Sequence, residues 1–223
     1  MVNIDTVYQR VLALANKEQR GYITPQDFNL FANHAQMEIF EQYFHDKDQF
    51  ERDPRSYIVE LLDQKIQIFK QGEVVVVHGD ILPLNTYQVD SVHIRFPGEK
   101  RRPVQRIDKN EVAGIKSGPL LRPCFGSYYY IYNNTIYFVD PATPGDFRMG
   151  LIRRPARVNW GYVVMNNQAM YNQGSSTQFE LHSSEETELV NKILRLAGIS
   201  IKQPDIMSAG QGMDTVTIQQ QKQ

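Results

Sequence analysis

Helical hydrophobic spacing at both ends of the chain, with a β-branched and aromatic middle between them, predicts an α+β protein. Helix and strand occur in separate blocks, which argues against an alternating α/β fold. The economical arrangement is a helical bundle, built from N-terminal helices and a C-terminal helix, with an inserted antiparallel β region. The expected parts are 1–70, the N-terminal helical part of the bundle; 71–158, the inserted β region; 159–206, a loop or arm and the closing helix; and 207–223, a polar, flexible C-terminal tail.

Each element has its own signal. After Asn3 or Asp5 as a cap, Val7, Val11, Leu12, Leu14 and Ala15 give a helical stripe that stops near Gly21. The run Thr24-Pro25-Gln26-Asp27 then starts a second helix: Thr24 accepts from open N–H groups, Pro25 needs no N–H there, and Asp27 complements the dipole. From 25 to about 45 nothing breaks it, a length of roughly 30 Å at about 1.5 Å per residue. Phe28, Phe31, Ala32, Ala35 and Ile39 form one stripe, with Met37, Phe40 and Phe44 beside it. So wide an apolar arc makes this a spine with neighbours on more than one side, from the same chain or another subunit. Asp53-Pro54 interrupts the pattern, and Tyr57, Ile58, Leu61 and Leu62 suggest a short helix over 56–66.

Past Gly72 the character changes. Val74-Val75-Val76-Val77 is a β-branched run, continued by Val89, Val92, Ile94 and Phe96. At 128–139 two aromatic-rich strands flank Asn133-Asn134, and Asn tolerates the positive φ that a two-residue hairpin turn requires. A return strand follows at 147–153, then a polar stretch at 159–177 read as an ordered loop or arm. Ser183 with Glu186 reads as a capping box. Leu189, Val190, Ile193, Leu194, Leu196 and Ala197 repeat at helical spacing until Gly198, a stop with Ile199 able to fold back.

With 24 Lys+Arg against 25 Asp+Glu the net charge is −1, which removes the driving force for bulk DNA wrapping. At 41% apolar the chain can bury a core. A lone Cys124 cannot close an internal disulfide and reads as a small buried thiol in a reducing compartment. Neither a signal peptide nor an apolar run near the ~20 residues of a membrane span is evident, so no membrane partner is expected.

Chemistry-bearing patterns are sparse. No nucleophile elbow, phosphate loop or dinucleotide glycine pattern occurs, and His34, His45, His78, His93 and His182 lack zinc-ligand spacing. Asp46-Lys47-Asp48 opens like a calcium loop, but Glu51 stands where Gly is needed and Tyr57 where Glu is needed. Glu185, Glu186 and Glu188 are explained by the helix dipole. Asn133-Asn134-Thr135 matches a glycosylation acceptor but reads as a turn. The expectation is no catalytic residue, no metal and no cofactor. Two basic clusters remain, Lys100-Arg101-Arg102 with Arg106 and Arg153-Arg154 with Arg157. They read as solvated faces or as contacts for acidic neighbours or passing nucleic acid.

Phe179-Glu180-Leu181-His182-Ser183-Ser184-Glu185-Glu186-Thr187-Glu188-Leu189, then Lys192-Ile193-Leu194, Ala197-Gly198-Ile199-Ser200-Ile201 and Pro204-Asp205-Ile206, resembles the ending of head–tail connector proteins of podovirus-type tailed phages, especially the crAss-like group. Arg153-Arg154-Pro155 with Trp160 is similar to the preceding segment of that family, and Leu82-Pro83 before Val92 resembles its β entry. The likeness extends along most of the chain and is specific over 153–206. It transfers no catalytic residue.

The resemblance implies a non-enzymatic virion protein, assembled in the host bacterial cytoplasm: a dodecameric ring adaptor below the portal that continues the DNA channel. Its partners would be copies of itself, the portal protein, adjacent tail or ring proteins, and passing genomic DNA bound without sequence specificity. Bundle or oligomer packing is expected from Phe28, Phe31, Phe40, Phe44, Leu189, Ile193 and Leu196. Ring-to-ring or channel contacts are expected from Arg101, Arg102, Arg106, Tyr130, Tyr132, Arg153, Arg154 and Arg157, and from the stretch 163–178. A portal-docking tail would carry Ile199, Ile201 and Ile206. Two rival readings are a host-surface carbohydrate module, with Tyr128, Tyr130 and Tyr132 as a stacking platform, and an enzyme acting on cell wall or nucleic acid.

Overall fold

The computed structural model describes the chain apart from residues 18–22, 51–55, 97–99, 119–127, 140–145, 167 and 201–223. The predicted Cys124, Ile201 and Ile206 fall outside the described residues. In chain order the elements are α1 (Ile4–Lys17), α2 (Pro25–Phe50), α3 (Ser56–Gln67), β1 (Lys70–Val76), β2 (Thr86–Arg95), β3 (Arg102–Pro103), β4 (Gln105–Arg106), α4 (Val112–Ser117), β5 (Tyr128–Tyr132), β6 (Thr135–Phe138), β7 (Asp146–Arg153), β8 (Tyr162–Met165), β9 (Gln168–Tyr171) and α5 (Glu186–Ser200). The protein is α+β. Residues up to Ile68 together with those from Pro155 on make one compact unit, and Phe69–Arg154 make a second.

In the first unit α2 packs against α5 and α3, and α1 packs against α5. Asn3 starts α1, its Oδ1 accepting from the N–H groups of Asp5 and Thr6. Thr24 starts α2 by accepting from Asp27 N, while its hydroxyl donates to Asp27 Oδ2. The spine runs past the expected end near residue 45 to Phe50, since nothing before Pro54 removes a helical hydrogen bond. Asp46, Lys47 and Asp48 therefore lie inside a helix.

Two details at the closing helix differ from expectation. Its cap is His182, whose Nδ1 accepts from Ser184 N across a 3₁₀ turn at Ser183–Glu185, in place of the predicted Ser183 and Glu186 pair. The helix also continues through Gly198 to Ser200, because Ala197 and Gly198 are both buried and a small side chain is what close packing there accepts.

The second unit holds a four-stranded sheet in the order β1-β7-β2-β3 and a three-stranded sheet in the order β4-β5-β6. The return strand β7 sits between β1 and β2, away from the hairpin that precedes it in sequence. In β2 the extra residue Asp90 makes a bulge, so Val89 and Val92 both face the core opposite Leu151 and Met149. Val104 is buried between β3 and β4, letting one short segment pair first with β2 and then, in parallel, with β5. Phe138 and Phe147 stack at 3.7 Å between centroids and join the sheets in one core. The predicted tyrosine hairpin is β5–β6, with φ of 48° at Asn133 and 58° at Asn134.

Candidate functional site

The packing residues expected on the spine and closing helices divide by burial. Phe28, Phe40, Leu189 and Ile193 are fully buried, whereas Phe31, Phe44 and Leu196 are half-buried. The apolar arc of α2 is thus largely covered within its own unit. Leu30, on the outer side, stays exposed.

Charged side chains lace this packing. Glu38 on α2 receives Lys192 Nζ at 3.1 Å and Arg195 Nη2 at 2.5 Å from α5. Burial alone would push the Glu38 carboxyl up, but hydrogen bonds and charge from Arg195 and Lys192 outweigh it and hold the group below its ordinary value. Glu185 is buried and pairs with Lys65 of α3 at 2.5 Å. Glu186 pairs with Arg10 of α1 at 2.8 Å, and Glu188 lies 3.7 Å from Lys192. The acidic run that the helix dipole explained also ties three helices together.

A row of amides on α2, absent from the sequence reading, anchors the extended segment after Pro155. Asn29 Oδ1 accepts from Trp160 N at 2.7 Å. Asn33 accepts from Val158 N at 3.0 Å and donates to Val158 O at 2.9 Å. Gln36 donates to Ala156 O at 2.8 Å and accepts from Glu180 N at 3.2 Å. The pairing works because helix positions four and three apart advance about 6 and 4.5 Å, while two extended residues advance about 6.6 Å. The longer glutamine takes up the slack at the far end. A polar helix face reads as solvated from sequence, so this row had no distinguishing signal.

The anchored segment leads into an arm. Trp160 is fully buried against Tyr8, at 4.0 Å between centroids, and its Nε1 donates to Asp5 at 3.0 Å. Beyond Gly161 the stretch expected as an ordered loop or arm forms the hairpin β8–β9, with Asn166 at φ 51° in its turn. Its base is closed by Gly161 N donating to Ser176 Oγ and Asn172 N donating to Gly161 O. Toward its tip Val163, Val164, Met165 and Met170 are exposed. No charged residue occurs between Tyr162 and Tyr171.

The second unit has an apolar surface of its own. β1 is an edge strand, and Val74, Val75 and Val77 are exposed there. Ile81 and Leu84, at 76% and 99% exposure, follow in the connection to β2. That connection is held by Asn134 Nδ2 donating to Leu82 O at 2.8 Å and Leu82 N donating to Asn134 O.

Within the second unit the two predicted arginine clusters sit at opposite ends of β2. Arg102 pairs in register with Ile94 and Arg153 with Thr86, positions about 26 Å apart along β2 at about 3.3 Å per residue. Arg101 is paired with Glu73 at 2.6 Å. Arg102, Arg106, Arg154 and Arg157 are exposed, and Arg102 lies over Phe96. On the hairpin Tyr129 faces the core, and Tyr128, Tyr130 and Tyr132 share the opposite face. Tyr130 stacks on Tyr137 at 5.2 Å, and Lys109 Nζ sits 3.4 Å from the Tyr132 ring centroid. Ile199 lies in the last turn of α5.

Among the described residues no group of three His, Cys, Asp or Glu side chains is placed to hold a metal, and no helix is long and apolar enough to cross a membrane. No model of a known protein family and no curated protein matches the chain.

Proposed function

We propose that the chain is a structural virion protein, the ring adaptor between portal and tail of a podovirus-type tailed phage. In this reading α1, α2 and α5 are the bundle, Phe69–Arg154 is its β insertion, and identical copies form a dodecameric ring that continues the DNA channel. The observation that carries it is the arm: an uncharged hairpin, fastened at its base by Trp160 and the α2 amides, with Val163, Val164 and Met165 exposed. Such a surface costs free energy in water and gains it when covered by another molecule. The resemblance over 153–206 supplies the identity of that assembly.

The portal protein and adjacent tail or ring proteins are the other partners in this reading. Ile199, Ile201 and Ile206 belong to the portal-docking tail, and Arg102, Arg106, Arg154 and Arg157 meet neighbouring subunits or passing DNA without reading sequence. No cofactor takes part. Electron microscopy of the purified protein mixed with its portal protein tests the proposal: rings seated on the portal are expected, and a monomer indifferent to the portal would refute it.

One observation favours a second reading, carbohydrate binding at a host surface: Tyr128, Tyr130 and Tyr132 share a face. Two of those rings are engaged already, by Tyr137 and by Lys109. Retention of the protein on host polysaccharide, lost in Y130A, would favour this reading over the adaptor.

A further inference from the structure

We infer that the outer edge of β8 in one copy of this chain pairs with the outer edge of β1 in a second copy. The inference rests on the self-assembly reading above and names the surfaces that would meet.

An unpaired strand edge is a template for another strand, and folded proteins guard such edges with Lys, Pro, inward charges or bulges. β1 is guarded only in its first half, where Lys70 is paired with Asp90 at 3.1 Å and the ladder slips between Gln71 and Val74. From Val74 to Val76 there is no guard. Glu73 is neutralised by Arg101, and Asp80 closes the edge beyond Val76, its Oδ2 accepting from Val77 N at 2.7 Å while Val77 O accepts from Asp80 N. On β8 no guard exists at all, since the whole hairpin lacks charge and proline. Among the described residues no strand pairs with the outer edge of either.

The two edges suit each other. Each presents consecutive exposed apolar residues, Val74 and Val75 on one and Val163, Val164 and Met165 on the other. Neither the stretch from Val74 to Val76 nor β8 carries a charged side chain, so pairing them buries no ion of their own. Their lengths are close, with β8 four residues long and the unguarded stretch of β1 running from Val74 to Val76. Because every copy carries one edge of each kind, the contact is head-to-tail. Repeated from copy to copy it closes a ring or grows a filament, whereas an edge pairing with itself stops at a dimer.

Disulfide trapping decides the matter. On a Cys124→Ser background, V75C is mixed under oxidising conditions with V163C, V164C or M165C. Disulfide-linked pairs are expected for at least one mixture, with little product from V75C alone, because opposite strand positions bring Cα atoms within the about 4.4–6.8 Å that a disulfide requires. Sedimentation gives the second readout: V75K and V164K should each weaken self-association about tenfold or more, while V75T, which keeps β-branching, should not. Thermal melting of each variant checks that the subunit stays folded. If wild-type protein forms rings but no mixture cross-links, this contact is wrong and the adaptor reading stands. Efficient V75C self-pairing would also overturn it. If wild-type protein stays monomeric with and without the portal protein, both proposals fall.

Discussion

Arg195 reaches across from α5 to place Nη2 2.5 Å from Oε1 of Glu38, the same oxygen that Lys192 Nζ meets at 3.1 Å. Lys192 is the more buried of the two cations, so removal of Glu38 leaves a buried charge with only Glu188 nearby. Breaking a fully buried pair costs about 3–5 kcal/mol; with Glu38 partly exposed and Glu188 remaining, E38Q should cost about 1–3 kcal/mol in urea unfolding. The pH dependence has a definite sign. Glu38 titrates lower in the folded state than its ordinary 4.5, so its contribution is present above pH 4.5 and disappears as pH falls through the folded value. The stability gap between wild type and E38Q should be flat from neutral pH down to about 5 and close below that.

The paired bonds of Asn33 give an asymmetric prediction. Its amide serves both the N–H and the C=O of Val158. N33A leaves both groups without that partner and should cost about 1–3 kcal/mol. N33D keeps the acceptor but sets a carboxylate against the Val158 carbonyl, so at neutral pH it should be worse than N33A. Once protonated, the introduced carboxyl group can donate again, and N33D should recover relative to N33A. Chemical denaturation of both variants at about pH 7 and near pH 3.5 measures the crossover.

Elements with local signals were readable from the sequence, and elements set by distant partners were not. The tyrosine hairpin and the start of α2 depend on a few adjacent residues, Asn133-Asn134 and Thr24-Pro25-Gln26-Asp27, and both form as expected. The place of β7 between β1 and β2 depends on strands far away in sequence, and no local pattern encodes it. At the arm, a stretch rich in Asn, Gln, Gly and Ser reads as an ordered loop or arm without strand signals, and Trp160 and the α2 amides hold its base so that β8 and β9 pair. Glu185 misled in the other direction, since a first-turn carboxylate already has a local explanation and its ion pair with Lys65 leaves no trace in spacing.

The base of the arm should be intolerant of a single methyl group. A Cβ at Gly161 would lie 2.7 Å from the backbone carbon and 2.8 Å from the backbone oxygen of Ser175, atoms that cannot rotate away as a side chain can. G161A should therefore destabilise the first unit by about 1–3 kcal/mol. Gly174, whose nearest neighbour to an added Cβ is 3.5 Å away, is the control, and G174A should change stability far less. Thermal melts of the two variants compare the sites directly. A G161A protein as stable as wild type would mean that the close approach at the arm's base is absent.

Alkaline unfolding should report on Tyr43. Burial, reinforced by the negative charges of Glu185 and Glu188, drives its phenol far above the ordinary value of 10.0. The folded state therefore holds Tyr43 neutral where the unfolded chain would ionise it. Its contribution to stability is intact below pH 10 and is lost as pH rises above that value. Y43F keeps the buried ring and removes the ionisation, so wild type should lose stability relative to Y43F above about pH 10 and track it below. Tyr129 is the control arm: burial raises it too, but Arg106 opposes the shift, so Y129F should flatten the alkaline limb less. Denaturant unfolding across about pH 8 to 11, followed by tyrosinate absorbance, separates the two residues. Equal effects of Y43F and Y129F would show that the carboxylates beside Tyr43 add nothing to its burial.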